Sequence, residues 1–427
     1  MKKRETLNRK IPPPIHEVTQ LNLPTPSVLS LDNGIPVYET RLGTQEIMKI
    51  EIVFPAGRPH EHKRLVSRAT ARELREGTTS YTSAQLAEKV DFYAGTLQTP
   101  VNLDMGSLTM FCLTKHFEQL VPIFAEMVQQ PTFPEKELNT FIDNNIQSLV
   151  VDLSKNDVLA YRKITEMMYG ENHPYGYNST PDDYRNLTRF DLEKHHRELY
   201  TADNSTIYAS GKTNDTILKL INQHLGQVRT KMVKNTEGVE LKYFAPEKIK
   251  IKHGEGTQSS IRIGNRFGSR KNPDFDHFFV LITILGGYFG SRLMTNIREK
   301  KGYTYNIYAS LDLMLHDGFF YISSEVGNPF VKKAITEIYH ELEVLKTELV
   351  GEEELRMVRN YLLGNMLNMV DGAFAVSDAV KSIVTEGLPF SSFTQFVENV
   401  KNVTPVRLRE LAQKYFKKED LFEVIIG

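Results

Sequence analysis

Arg298 and Tyr305 lie seven positions apart in the stretch SRLMTNIREKKGYTYNIYASL, residues 291–311. A guanidinium and a phenol both donate hydrogen bonds, and such donors can stabilise an oxygen that gains negative charge during a reaction. The pattern predicts a helix that ends at Gly302, followed by a strand with Tyr305 and Ile307 on one face. The pair is therefore either part of a catalytic site, or a structural arrangement in which Arg298 interacts with its own helix C-terminus and Tyr305 is a core residue.

Two further groups of polar residues could bind a metal by composition alone. His60, Glu61 and His62 stand together in PHEHK, and we predict a solvated polar loop because no further ligand cluster accompanies them. His340 begins HELEV, which ends in valine where a second histidine would be needed. Its surroundings are typical of the solvated face of a charged amphipathic helix.

His195 and His196 lie on a helical run, DLEKHHRELY, where surface placement is the expectation. The segment GGYFG, residues 286–290, is not followed by the Gly-Lys-Ser/Thr of a phosphate-binding loop. Gly286 and Gly287 are therefore expected to allow a tight turn or the close packing of helices.

The elements that would position these residues follow an α+β pattern. In the first part of the chain, strands such as IMKIEIVFPAG precede a helical stretch from about Lys63 to Glu76. A second helix, SAQLAEKVDFYA, ends at Gly95, where a glycine C-cap is expected. Two alternating strands and two longer helices follow.

The second part of the chain repeats this order. Gly302 follows Gly95 by 207 residues, and Leu355 follows Leu138 by 217 residues, in matching patterns. We therefore predict two homologous, duplicated α+β domains, each an antiparallel or mixed sheet packed with helices. The predicted boundaries are 20–230 for the first domain and 231–427 for the second, with the polar stretch 228–248 as the linker.

Composition excludes several classes of protein. The 427 residues contain 52 Lys and Arg against 53 Asp and Glu, a balance that argues against a nucleic-acid-binding protein. Cys112 is the single cysteine, so no internal disulfide can form, and its alternating surroundings predict a buried strand thiol. No apolar run approaches the ~18 residues of a membrane span. The basic start lacks a secretory apolar region, which predicts a cytoplasmic protein with a flexible or strap-like N-terminus of about 20 residues.

The stretch ILGGYFGSRLMTNIREKKGYTYNIYAS resembles the second-domain signature of the insulinase/pitrilysin zinc peptidases, the inverzincins. The similarity is greatest to the two-domain subfamily that includes mitochondrial processing peptidase, and EGTTSYTSAQLAEKVDFYAGTL, PTFPEKEL and HPYG extend it over roughly residues 30–425. In that family an arginine and a tyrosine at this spacing reach across to the zinc-bearing domain and help to hold the scissile peptide. Arg298 and Tyr305 fall on those positions. Gly286 and Gly287 fall on a glycine-rich segment that takes part in substrate handling.

The sequence departs from this family at the metal site. Members that cleave peptides carry H-x-x-E-H, in which the histidines bind Zn²⁺ and the glutamate is the general base. Counted back from Gly77, the two ligand positions hold Arg68 and Arg72, and the base position holds Ala71. Arginine has no acceptor and is not deprotonated in proteins, so it cannot ligate zinc. The third ligand would fall near 147–149, which offers no carboxylate, so we predict no catalytic zinc in this chain.

The resemblance implies a non-zinc-binding subunit of a heterodimeric zinc metalloendopeptidase. Its partner would be a homologous two-domain chain that carries H-x-x-E-H and the zinc. This chain would supply Arg298 and Tyr305 in trans for peptide binding and oxyanion stabilisation, with no nucleic-acid or membrane partner. The alternative is a catalytically inactive structural or peptide-binding homologue that has no peptidase partner.

Overall fold

The structure, a computed structural model, describes residues 20–231 and 239–427. The predicted N-terminal strap and the middle of the predicted linker lie outside the described residues. Within the two described ranges, no helix is both long enough and apolar enough to cross a membrane.

The first sheet has six strands in the order β1-β2-β6-β3-β5-β4, and only the β2–β6 pair is parallel among its described pairings. Its central strand β3 is buried almost throughout because both of its faces are covered. Cys112 lies buried in β5, as the sequence predicts. The strands are β1 Ser27–Ser30, β2 Pro36–Arg41, β3 Ile47–Phe54, β4 Thr96–Gln98, β5 Gly106–Leu113 and β6 Thr206–Gly211.

The second sheet has five strands in the order β7-β11-β8-β10-β9. Here β7 and β11 are parallel, while the pairs β11–β8, β8–β10 and β10–β9 are antiparallel. Strand β9, which carries Tyr305, is at the edge of the sheet. The strands are β7 Lys248–Ile251, β8 Gln258–Arg266, β9 Thr304–Leu313, β10 Gly318–Gly327 and β11 Phe422–Ile426.

Helices pack on both sheets, which confirms the predicted α+β class. Those of the first half are α1 Val66–Glu73, α2 Ser83–Phe92, α3 Phe117–Gln129, α4 Glu135–Asp152, α5 Asn156–Tyr169, α6 Pro181–Arg185, α7 Arg189–Leu199 and α8 Asp215–Leu225. Those of the second half are α9 Phe275–Ile282, α10 Val331–Thr347, α11 Glu352–Leu367, α12 Gly372–Thr385, α13 Ser391–Asn402 and α14 Pro405–Tyr415. Two π-helical segments, Thr283–Gly287 and Met294–Lys300, lie between α9 and β9.

Each half of the chain places one helix on the sheet of the other half. Helix α5 packs on β8 and β11, where Ile164 and Met168 share a core with Phe319 and Val424. Helix α12 packs in the corresponding way on β2 and β6. Burying one aliphatic side chain stabilises a fold by roughly 1.5–3 kcal/mol, so these exchanged helices tie the two halves together.

Buried charges reinforce the contact between α12 and the first sheet. Lys49 on β3 donates to Asp378 at 2.7 Å, and Lys381 donates to Glu51 at 2.9 and 3.0 Å. Both β3 side chains are almost inaccessible, at 2% and 3%. They are tolerated there because each has an oppositely charged partner across the interface.

Two sequence predictions about the first helices were wrong in detail. The first helix begins at Val66 rather than near Lys63, because Leu65 has a left-handed φ of 70° that no helix can include. The C-terminal turn after α2 places Ala94, not Gly95, in the left-handed conformation, with φ of 52°. Gly95 is required for packing instead, because a Cβ there would lie 3.0 Å from Val90.

Candidate functional site

Arg298 lies in the π-helical segment Met294–Lys300, which ends as the sequence predicts at a glycine. Gly302 has φ of 63°, and its N–H donates to the Arg298 carbonyl at 3.1 Å. The N–H of Tyr303 donates to the carbonyl of Ile297 at 3.0 Å. Ile297 is fully buried and anchors the segment, so the chain turns sharply from the helix into β9 with Arg298 directed away from the core.

Tyr305 lies in a β-bulge at the start of β9. Ile307 pairs with Ser324 and Thr304 pairs with Val326, so two residues of β9 oppose a single residue of β10. A bulge of this kind re-aims side chains and interrupts the alternation of a strand. Tyr305 is consequently 84% exposed, and the alternative in which it is a core residue is wrong.

The guanidinium of Arg298 contacts two aromatic rings. Its guanidinium carbon lies 4.7 Å from the centre of the Tyr305 ring and 4.5 Å from that of Phe289. At exposed sites each such cation–π contact is worth about 0.5–1 kcal/mol. The guanidinium carbon lies over both rings, and the hydrogen-bond donors of this group are the N–H bonds at its edges. No acceptor in residues 20–231 or 239–427 lies within hydrogen-bonding or ion-pairing distance of those edges.

Phe289 is a site residue that the sequence analysis missed. It follows the glycine pair and is 62% exposed, although it is a large apolar side chain. Exposed apolar groups that cluster with a cation are typical of a surface that another molecule covers. The only indication in the sequence was an aromatic residue close to the glycine pair. Its contact with Arg298 depends on the turn between the two π-helical segments, which the sequence pattern does not predict.

The two candidate glycines have different roles in the structure. A Cβ on Gly286 would lie 2.3 Å from the Ala309 backbone nitrogen, so only glycine lets the π-helical segment Thr283–Gly287 approach β9 this closely. The sequence predicts a tight turn or close packing between helices, and the close packing is instead against a strand. Gly287 is exposed, and a Cβ there would meet only the Thr283 side chain, at 3.3 Å. Of the pair, Gly287 is therefore the one that a bound molecule can reach.

The three positions of the degenerate metal motif lie on α1. Arg68 and Arg72 are exposed, one helical turn apart on the same side of the helix. Ala71 is fully buried, next to Gly106 and the Tyr200 hydroxyl. A carboxylate at the Ala71 position would be buried beside Gly106 and Tyr200.

The residues present do not fit a zinc ion. Around the predicted third-ligand position, Leu149 is buried in the core, and its neighbours Gln147 and Ser148 are exposed and carry no carboxylate. In the part of the chain that the structure describes, no three His, Cys, Asp or Glu residues are placed to hold a metal ion.

Glu73, which follows the degenerate motif, is a second residue that the sequence analysis missed. It is 3% exposed, and its Oε2 has no hydrogen-bond partner among the described residues. Burial, helped by the nearby negative charges of Glu76 and Glu137, raises the pKa of Glu73 to about 8. Its side chain is therefore mainly protonated and neutral at pH 7.

The surface placement predicted for His195 was wrong, and His196 is only partly exposed. His195 is 1% exposed, and its Nε2–H donates to the Ala56 carbonyl at 2.9 Å. His196 donates in the same way to Val128 at 2.8 Å. Burial lowers the pKa of each imidazole to about 4, so both are neutral supports for the packing of α7.

The other histidine-containing stretches have different surroundings. The loop around Glu61 is less solvated than predicted, because its carboxylate accepts hydrogen bonds from Ser67 and from the Tyr177 hydroxyl at 2.7 Å. His340 lies on the exposed face of α10, as predicted.

Comparisons with known proteins agree with this geometry. A family model described as "Peptidase M16 inactive domain" matches residues 186–362. The uncharacterized zinc protease YmxG of Bacillus subtilis is 21% identical over 392 residues, which are 91% of this chain and 95% of that protein. The non-peptidase homolog YmxG of Helicobacter pylori is 21% identical over 374 residues, 84% of this chain and 83% of that protein.

The fold is also that of a solved structure. The crystal structure of a peptidase M16 inactive domain from Pseudomonas fluorescens superposes with a TM-score of 0.85 at 21% identity, covering 94% of this chain and 98% of that one. The match spans both halves, and the position of the zinc motif in this chain holds Arg68, Ala71 and Arg72. The chain is therefore similar to the insulinase/pitrilysin-type peptidase M16 proteins, and its sequence lacks the H-x-x-E-H motif.

Proposed function

We propose that this chain is the non-zinc-binding subunit of a heterodimeric zinc endopeptidase, and that Arg298 and Tyr305 complete the active site of its partner. The observation that carries this proposal is the contact of the half-buried Arg298 with the exposed rings of Phe289 and Tyr305, which together form the Arg–Tyr stack. Its hydrogen-bond donors have no acceptor within the described residues, and the aromatic rings around it are largely exposed. A group of donors built in this way is suited to an acceptor from another molecule.

Each residue of the stack has a distinct chemical role in the proposal. The Tyr305 hydroxyl donates a hydrogen bond to the carbonyl oxygen of the scissile peptide as that oxygen gains negative charge. Arg298 supplies a second donor or orients the phenol, and its positive charge favours the oxyanion. Losing one donor of this kind typically reduces kcat by about 10²–10³.

The position of β9 supports binding of the peptide in an extended form. As the edge strand of its sheet, β9 can accept one more strand through backbone hydrogen bonds. The bulge that exposes Tyr305 lies at the beginning of that edge. A peptide added there would run past the Arg–Tyr pair, within reach of both donors.

The metal belongs to the partner in this proposal. The partner is a homologous two-domain chain with H-x-x-E-H, which contributes zinc and the general base. The residues of the present chain at those positions, Arg68, Ala71 and Arg72, suit neither role. Neither nucleic acid nor a membrane is part of the proposed complex.

A structural or peptide-holding homologue without a peptidase partner is the second candidate. It is favoured by the relative described as a non-peptidase homolog, which matches this chain over most of its length. Against it stands the exposed Arg–Tyr stack, since a pure scaffold has no use for unpaired donors held beside exposed rings.

The test compares variants of the reconstituted pair on a quenched fluorescent peptide. We expect Arg298→Ala and Tyr305→Phe to lower kcat by about 10²–10³ without changing the zinc content of the complex. Tyr303→Phe is the matched control, because Tyr303 lies two residues away, is half-buried and stacks on Phe330 at 5.3 Å. Full activity in both site variants would show that the proposed role in trans is wrong.

A further inference from the structure

The exposed side of α1 carries positive charge that no other described residue neutralises. Arg68 and Arg72 are exposed one turn apart, and no carboxylate of the described residues lies within 4.0 Å of either guanidinium. Two surface arginines on the short helices nearby are paired, Arg185 with Asp182 and Arg189 with Glu193, both at 2.7 Å, whereas the exposed Arg197 on α7 has no ion pair among the described residues. The α1 pair is distinguished because it places two such guanidinium groups one turn apart on the same side of a helix.

The groups around the pair explain why it stays uncompensated. The carboxylate of Glu76 is engaged by Arg75 at 3.1 Å and by the Ser83 hydroxyl at 2.6 Å. Glu73 points inward and is mainly protonated at neutral pH. The local balance around the pair is positive.

The neighbouring Arg64 already has hydrogen-bond acceptors within the described ranges, in contrast to Arg68 and Arg72. Arg64, one turn before Arg68, donates to the Glu171 carbonyl and to the Asn172 side chain, both at 2.9 Å. The pKa of the Arg72 guanidinium is lowered by partial burial and by the positive charges of Arg68 and Arg75. An anion placed between Arg68 and Arg72 would relieve this repulsion.

We propose that Arg68 and Arg72 form an anion-binding site that takes the carboxylate of an acidic residue in a bound peptide. Guanidinium groups bind carboxylates through paired N–H donors, and side chains one turn apart lie about 5–6 Å apart at their Cβ atoms, so both can reach one carboxylate. Two arginines on an open helix face hold a free small anion weakly. A peptide that is also bound elsewhere presents its carboxylate at high effective concentration. The choice of a peptide rests on the proposed function, whereas the anion site itself rests on α1.

The experiment measures peptide binding to the full chain by fluorescence anisotropy at low salt. Two dye-labelled peptides are compared that are identical except for glutamate or glutamine at the same positions. We expect the wild-type chain to bind the glutamate peptide about tenfold more tightly, and Arg68→Gln/Arg72→Gln to lose this preference. The preference should weaken as ionic strength rises, because both arginines are exposed.

A matched control and a charge-reversal variant show whether the preference comes from Arg68 and Arg72 or from the overall charge of the protein. Arg185→Gln/Arg189→Gln removes two exposed arginines that have local partners, and it should keep the preference. Arg68→Glu/Arg72→Glu should instead prefer a peptide with lysine at the same positions. Inorganic phosphate should compete only weakly with the glutamate peptide.

Several results would overturn the proposal. They are an unchanged preference in Arg68→Gln/Arg72→Gln, an equal affinity of the wild-type chain for both peptides, and no binding of either peptide. Strong competition by phosphate at low concentration would identify a small-anion site instead. None of these results bears on Arg298 and Tyr305, whose variants test the proposed function separately through kcat of the mixture.

Discussion

Glu73→Gln should make the protein less sensitive to pH, and the size of the effect follows from the burial of this side chain. The pKa of Glu73 is raised from its ordinary value of 4.5 to about 8 in the folded chain. Below pH 4.5 the carboxyl is protonated in both the folded and the unfolded chain, so it has no pH-dependent effect. Between pH 4.5 and 8 only the unfolded chain ionises, and the free energy of unfolding falls by about 1.4 kcal/mol per pH unit.

At pH 7 the accumulated cost of keeping Glu73 protonated is about 3 kcal/mol. Glutamine has nearly the same shape and no charge to bury, so this cost disappears in Glu73→Gln. The amide adds a buried donor, which lowers the free energy of unfolding by an amount that does not depend on pH. The diagnostic quantity is therefore the difference in stability between variant and wild type as a function of pH, rather than its value at one pH.

The assay is urea denaturation followed by circular dichroism at intervals from pH 5 to pH 8. We expect the stability of Glu73→Gln relative to wild type to rise by about 1.4 kcal/mol for each pH unit in this range. Glu88→Gln, at an exposed position of α2, controls for the loss of one surface carboxylate. A difference between Glu73→Gln and wild type that stays constant from pH 5 to pH 8 would refute the buried, protonated state of Glu73.

Three further predictions concern the metal and the fold. The chain purified without added metal should contain far less than one zinc per molecule by plasma emission spectrometry; near-stoichiometric zinc that a chelator removes would contradict this. Arg68→His/Ala71→Glu/Arg72→His should give no peptidase activity, because the carboxylate of the third zinc ligand is still missing; measurable cleavage would contradict this. The same variant should unfold at lower temperature than wild type, because the new glutamate is buried. Lys381→Met should lower the free energy of unfolding by about 3 kcal/mol in urea, because it leaves Glu51 with only the 4.0 Å contact to Lys49; an unchanged midpoint would show that this ion pair contributes nothing.

The fold class could be predicted from the sequence because each half repeats the same order of periodic segments. The exchange of α5 and α12 between the halves could not be predicted, because a helix shows the same apolar spacing whether it covers the sheet of its own half or that of the other half. The buried Lys49 and Glu51 are a second consequence of this exchange. Charges in the middle of a strand indicate an exposed face, and only the partners on α12 reverse that expectation.

The candidate site could be predicted only in part. The spacing of Arg298 and Tyr305 and the glycine between them are properties of the sequence, and the structure brings the two side chains into contact. The bulge that exposes Tyr305 depends on how β9 pairs with β10, and no local pattern indicates it. Phe289 joins the stack through a π-helical turn that helical periodicity does not predict.

Burial also explains why Glu73 on α1 and His195 on α7 differ from what their sequence surroundings suggest. Glu73 and His195 are polar residues on helical runs, where exposure is the usual expectation. Each is covered by a neighbouring element that lies far away in sequence. The buried His195 donates a hydrogen bond to the Ala56 carbonyl. The buried Glu73 has no hydrogen-bond partner for its Oε2 in the described part of the chain, and its raised pKa keeps it mainly protonated at pH 7.

The most direct test of the central claim is cleavage of a quenched fluorescent peptide library by three samples. They are this chain alone, a homologous H-x-x-E-H chain from the same organism alone, and the two mixed. The proposed split active site predicts cleavage only in the mixture, abolished by a chelator and reduced by Tyr305→Phe. Cleavage by the H-x-x-E-H chain alone, unchanged when this chain is added, would contradict it.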